Sequence, residues 1–113
     1  MSSDLYIDSG DDWVRLGNMG HLSYFEYDVI AVLKVLAQTH PVVDACVVDA
    51  LVPALELCRR WLIETIDDDD AEYHAVRYGY CLPTKEQIDV VDASQVTAFL
   101  RERTGRPWSF RVD

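Results

Sequence analysis

Leu5-Tyr-Ile-Asp-Ser-Gly-Asp-Asp-Trp-Val-Arg-Leu16 is the stretch that decides the fold class. Its two ends, Leu5-Tyr-Ile-Asp8 and Trp13-Val-Arg-Leu16, are rich in β-formers, and the Ser9-Gly-Asp-Asp12 between them consists of turn residues, which predicts a β-hairpin. Much of the remaining chain carries helical periodicity, so the hairpin makes this an α+β chain rather than an all-helical one.

Past the hairpin, Gly17-Asn-Met-Gly20 breaks the strand pattern. Ser23-Tyr-Phe-Glu26 has the spacing of a capping box, with Leu22 and Tyr27 as its hydrophobic staple, so a helix is expected to begin at Tyr24. Phe25, Val29, Val32, Leu33 and Leu36 form one apolar stripe. Ile30, Ala31, Val35 and Ala37 widen it, predicting a largely buried helix that stops at His40-Pro41. Residues 42–48 fit a helical turn or a strand equally well. Leu51, Leu55, Cys58, Leu62 and Ile66 then mark a second helix, with Glu56, Arg59 and Arg60 on its polar face. Pro53 is expected in or near its first turn, where a missing N–H costs little; a helix running unbroken from residue 42 should kink there.

Asp67-Asp-Asp-Asp70 closes that helix, and residues 71–82 read as a strand. Residues 87–91 also read as a strand, because Ile88, Val90 and Val91 are β-branched, although a helix start fits as well. Asp92-Ala-Ser-Gln95, stapled by Val91 and Val96, caps a third helix that buries Val96, Phe99 and Leu100. Gly105 and Pro107 end it, and residues 108–112 form a closing strand. The expectation is a single α+β domain over residues 1–113, with about three helices packed on a small, partly antiparallel sheet.

Charge narrows the function classes. Ten Lys and Arg against 20 Asp and Glu leave a formal charge of −10. Residues 1–72 hold 15 acids and 4 bases, while residues 73–113 hold 5 acids and 6 bases. That field repels phosphates, which argues against direct nucleic-acid binding and against anionic membrane surfaces. Arg101, Arg103, Arg106 and Arg111 gather around the last helix, but Arg101 and Arg103 suit its C-terminal dipole and form no wide basic field. The N-terminal residues have neither the basic nor the apolar region of a signal peptide, and no apolar run approaches the roughly 18 residues that span a bilayer. A cytoplasmic location is expected. Of three cysteines, one is unpaired under any scheme and none forms a Cys-x-x-Cys, so Cys46, Cys58 and Cys81 are read as reduced thiols, with Cys46 and Cys58 as small core fillers.

The strongest local feature runs from Glu64 to Glu72, where Glu64, Asp67, Asp68, Asp69, Asp70 and Glu72 are acidic. Four aspartates at a helix C-terminus oppose its dipole and repel one another, so the run costs stability. A solvated loop accounts for such a run. A docking surface for Lys and Arg accounts for it too, with Tyr73, Tyr78 and Tyr80 as desolvated anchors beside the acids. Asp68, Asp70, Glu72 and His74 offer metal donors, but no glycine at the sixth position and no Glu at the twelfth make a calcium loop, so neither a metal nor a cofactor is expected. Asp8, Asp11 and Asp12 with Trp13 form a second acidic group, for which ordinary turn chemistry suffices. His21 and His40 fall at helix boundaries.

No phosphate loop, dinucleotide fingerprint or nucleophile elbow occurs, so no catalytic residue is assigned and enzyme activity is not expected; a site assembled from dispersed residues is the weakest reading. A small, strongly acidic domain without catalytic motifs resembles, as a class, the immunity proteins that neutralise basic nuclease or other toxins, and also phage-encoded inhibitors of nucleic-acid-binding machinery. That resemblance implies a non-enzymatic inhibitor of a basic protein such as a toxin or nuclease domain, and the residues expected to form its contact patch are Glu64, Asp67, Asp68, Asp69, Asp70, Glu72, Tyr73, Tyr78 and Tyr80. The alternative is a self-associating adaptor that uses Trp13, Trp61 or Trp108.

Overall fold

A computed structural model describes residues 3–24, 27–66 and 85–113. The hairpin forms as expected from β1 (Asp4–Ser9) and β2 (Asp12–Asn18), joined by Gly10-Asp11. Gly10 has φ +63°, the positive value that the first central residue of this tight turn requires. β1 is the middle strand of a three-stranded antiparallel sheet, with β5 (Ser109–Val112) on its other edge. Leu5, Ile7 and Ser9 turn into the core, and the Ser9 hydroxyl donates to the Pro107 carbonyl at 2.9 Å.

Near its end β2 bulges. Leu5 pairs with Gly17 and Tyr6 with Arg15, which leaves Leu16 between them, fully buried. Gly17 has φ +143°, and a Cβ there would lie 2.1 Å from the Asp89 carbonyl oxygen. This close approach lets Val91 N–H donate to Leu16 and Asn18 N–H donate to Asp89. The strand expected over 87–91 is therefore reduced to one bridge, Gly17 with Val90, preceded by a single 3-10 turn at Lys85–Gln87.

The helix expected from Tyr24 begins later. A short α1 (Met19–Leu22), capped by Asn18, is followed by two-residue strands β3 (Ser23–Tyr24) and β4 (Tyr27–Asp28), and α2 runs over Val29–Thr39. Asp28 is the cap that wins. Its carboxylate accepts from Ile30 and Ala31 N–H at 3.0 and 3.1 Å, whereas the Ser23 hydroxyl turns back to the Met19 carbonyl. α2 stops at His40, as expected, but it is not largely buried. Only Val29, Leu33 and Leu36 are inside, and Ala31, Val35 and Ala37 face solvent. α2 packs on α3 and β5, and no described element covers its opposite side.

α3 (Ala45–Ile66) is one 22-residue helix, about 33 Å long at the usual rise. Residues 45–48 are its first turn, and Pro53 is its ninth residue, not part of that turn. Packing overrides the local signal. Val47, Leu51, Leu55, Cys58 and Leu62 are all at most 1 % exposed, and burial at about 1.5–3 kcal/mol per large apolar side chain outweighs a mid-helix proline at about 3 kcal/mol. Pro53 is exposed, as is Asp49, so water can reach the carbonyl that Pro53 leaves without its helical partner.

α4 (Ala93–Glu102) is capped by Asp92, whose carboxylate accepts from Ser94 N–H at 2.8 Å, and buries Ala93, Val96 and Leu100. Phe99 is half-buried under the Arg103 guanidinium. Gly105 N–H donates to the Val43 carbonyl, which returns the chain past the α2–α3 connection into β5. The buried side chains form one cluster between the sheet and the helices, giving the α+β architecture expected. No described helix is long and apolar enough to cross a membrane. The strand expected over 71–82 and the Asp67–Asp70 run lie outside the described residues.

Candidate functional site

Alternation along β1 that buries Leu5, Ile7 and Ser9 sends Asp4, Tyr6 and Asp8 to the opposite face of the sheet. Antiparallel register sets Arg15 and Arg111 on either side of Tyr6, and Trp13 beside Asp8. Trp13 and Tyr6 meet edge to face, with centroids 5.4 Å apart, and the Arg111 guanidinium lies 4.3 Å from the centre of the Tyr6 ring. Trp13 is nevertheless 58 % exposed. It is a large aromatic ring held by its neighbours but left in water.

Acids surround this aromatic row in a repeated arrangement, each arginine being shared by two carboxylates. Arg15 donates from Nε to Asp4 at 3.0 Å and from both terminal nitrogens to Asp89. Arg111 donates to Asp8 at 2.9 Å and to Asp113 at 2.7 Å. On the helix side of the sheet, where Asp12 pairs with Ser9, Arg103 makes a third such set, donating to Asp12 at 2.8 Å and to Glu102 at 3.3 Å, and it also caps α4 through the Phe99 carbonyl. Each set keeps one uncompensated negative charge, and Asp11 adds another, exposed at the tip of the turn. Hydrogen bonds to Asp89 and Asp4 raise the Arg15 pKa, and those to Asp8 raise that of Arg111. The Asp89 carboxyl is held below the usual carboxylate range, chiefly by Arg15. These pairs orient the face; as partly exposed ion pairs they add little stability.

Of the residues expected to form the contact patch, Glu64 is exposed near the end of α3. Asp67, Asp68, Asp69, Asp70, Glu72, Tyr73, Tyr78 and Tyr80 lie outside the described residues, as does His74. Glu64 borders a groove of about 430 Å³ between α3 and the start of α4, which Arg59, Arg60, Ile63 and Val91 also line. The other tryptophans are poor surface anchors: Trp108 is 9 % exposed and donates Nε1–H to the His40 carbonyl at 2.8 Å, and Trp61 is half-buried.

Cys58 is buried as expected, its thiol donating to the His21 carbonyl and pushed up to about 11 by burial. Cys46 is not a core filler. It is exposed, because the buried stripe of α3 passes through Val47 and Leu51 and leaves position 46 outside. There it joins His40 and Asp44 in a group whose donor atoms all lie within 4.8 Å of one another. Sequence reasoning passed over both this group and the Arg15–Asp89 pair. Arg15 and Asp89 are 74 positions apart and share no local pattern, whereas His-x-x-x-Asp-x-Cys was legible as a spacing once the connection between the two helices was known to be tight. No known family, curated protein or solved structure matches the chain.

Proposed function

We propose that the protein is a non-enzymatic acidic inhibitor that binds and neutralises a basic protein partner in the manner of immunity proteins. The supporting observation is the outer face of the sheet, where Trp13 stands exposed against Tyr6 beside Arg15 and Arg111, each outnumbered by its carboxylates. Steering by a net charge of −10 accelerates encounter with a basic surface, and the aromatic anchor slows escape. The acidic run from Glu64 to Glu72, with Tyr73, Tyr78 and Tyr80, is the second part of the proposed surface.

Association kinetics with the captured basic protein separate the two roles. Charge reversal at Asp68, Asp69 and Asp70 should slow association at low salt, and Trp13→Ala should speed dissociation by about tenfold, the effect of an anchor worth roughly 1.4 kcal/mol. Unchanged rates in both variants would refute the proposal. The exposed Ala31 and Val35, with the half-buried Val32 between them on α2, favour a second reading, a self-associating adaptor. Light scattering that shows a stable oligomer, abolished by Val35→Lys, would establish that reading instead.

A further inference from the structure

We propose that His40, Asp44 and Cys46 form a binding site for a divalent cation of the zinc class. The three side chains offer one imidazole nitrogen, one carboxylate oxygen and one thiol sulfur, all within 4.8 Å of one another. A tetrahedral zinc ion with ligands at about 2.0–2.3 Å needs its donors about 3.3–3.8 Å apart. His40 Nδ1 and Asp44 Oδ2 are now 2.9 Å apart, joined by a hydrogen bond, so a few tenths of an ångström of opening admits an ion between them.

The backbone that carries the donors is already fixed. His40 ends α2 through its N–H to the Leu36 carbonyl, and its own carbonyl accepts from Trp108. Val43 exchanges hydrogen bonds with Arg106 and Gly105, and its side chain is 1 % exposed. The second Asp44 oxygen accepts from Val47 N–H at 3.0 Å, which holds the carboxylate at the start of α3. Little chain entropy therefore remains to be lost when an ion binds.

Donor type selects the ion. A thiolate and an imidazole favour zinc, cobalt or copper over magnesium and calcium, which demand oxygen. On binding, Cys46 loses its thiol proton to solvent, the sulfur and the imidazole nitrogen each donate a lone pair, and thiolate plus carboxylate balance the two positive charges. Three protein ligands leave the fourth position to water.

Cobalt titration tests the site, because a thiolate ligand produces a charge-transfer band in the near ultraviolet that carboxylates alone do not. One Co²⁺ per chain should produce the band, Zn²⁺ should bleach it, and excess Mg²⁺ should leave it unchanged. Cys46→Ser, at an exposed position, should abolish the band. His40→Gln and Asp44→Asn should each weaken binding by at least the roughly tenfold that even outer-sphere partners contribute, and asparagine preserves the helix cap. Absence of the band, its survival in Cys46→Ser, or unchanged affinity in both His40→Gln and Asp44→Asn would overturn the assignment.

Discussion

Replacing Gly17 with alanine should destabilise the protein severely, although it adds one methyl group. The new Cβ would sit 2.1 Å from the Asp89 carbonyl oxygen and 3.0 Å from the Asp89 carbonyl carbon and Val90 Cα, all backbone atoms that no rotamer change can move. The φ of +143° adds strain of about 1–3 kcal/mol for any residue with a side chain. Pushing the 89–91 segment away breaks two backbone hydrogen bonds, Asn18 to Asp89 and Val91 to Leu16, at about 0.5–1.5 kcal/mol each. It also moves Asp89 away from Arg15 and from His21, whose Nδ1 accepts the Asp89 N–H at 2.9 Å. The sum is about 2–6 kcal/mol, a large fraction of the roughly 5–15 kcal/mol that stabilises an ordinary domain. Gly10→Ala is the control, because its φ is also positive but nothing lies within 4 Å of the added Cβ, so it should cost only about 1–2 kcal/mol. Urea unfolding followed by tryptophan fluorescence measures both. A loss below about 1 kcal/mol in Gly17→Ala, or equal losses in the two variants, would refute the close approach of residues 89–91 to β2.

Acidification should lower stability in two stages. Burial depresses the His21 pKa below its unfolded value near 6.5, so the unfolded chain takes up that proton first and stability falls as pH drops below about 6.5. The Asp89, Asp44 and Asp92 carboxyls are also depressed, so their contribution is present above about pH 4 and is lost as pH falls through the carboxylate range. Urea midpoints measured from pH 8 to pH 3 should show both stages, and His21→Gln should remove only the upper one. Asp28→Ala should cost about 1 kcal/mol by uncapping α2, whereas Ser23→Ala should cost nearly nothing, and the reverse order would restore Ser23 as the cap. In a Cys81→Ser background a thiol reagent should label one site, Cys46, in the native protein, and Cys58 only on unfolding; rapid labelling of both would contradict the burial of Cys58.

Features written into short windows were legible. The hairpin follows from β-formers flanking Ser-Gly-Asp-Asp, and α4 from Asp92-Ala-Ser-Gln95 and its apolar face. The α3 stripe was legible at four-and-three spacing, but its start was not, because Pro53 argued for a later beginning and the burial of Val47 lies outside any local rule. The start of α2 was misread for a related reason. Ser23 and Asp28 are both good caps, and only the pairing of β3 with β4 chooses between them. Exposure was the hardest property to read, since an apolar residue at position 35 or 46 looks the same whether or not another element covers it. At the candidate site the acids and Trp13 were visible, but the sharing of each arginine by two carboxylates depends on strand register and on contacts such as Arg15 with Asp89.

Affinity capture from lysate of the source cells tests the proposed inhibitor most directly, with wild-type chain, Trp13→Ala and the Asp68, Asp69 and Asp70 charge-reversed chain immobilised side by side at low salt. A stoichiometric basic protein held by the wild-type chain, released by high salt and lost from both variants, is the expected result. The same proteins on all three supports, or capture that resists salt, would contradict an electrostatically steered inhibitor.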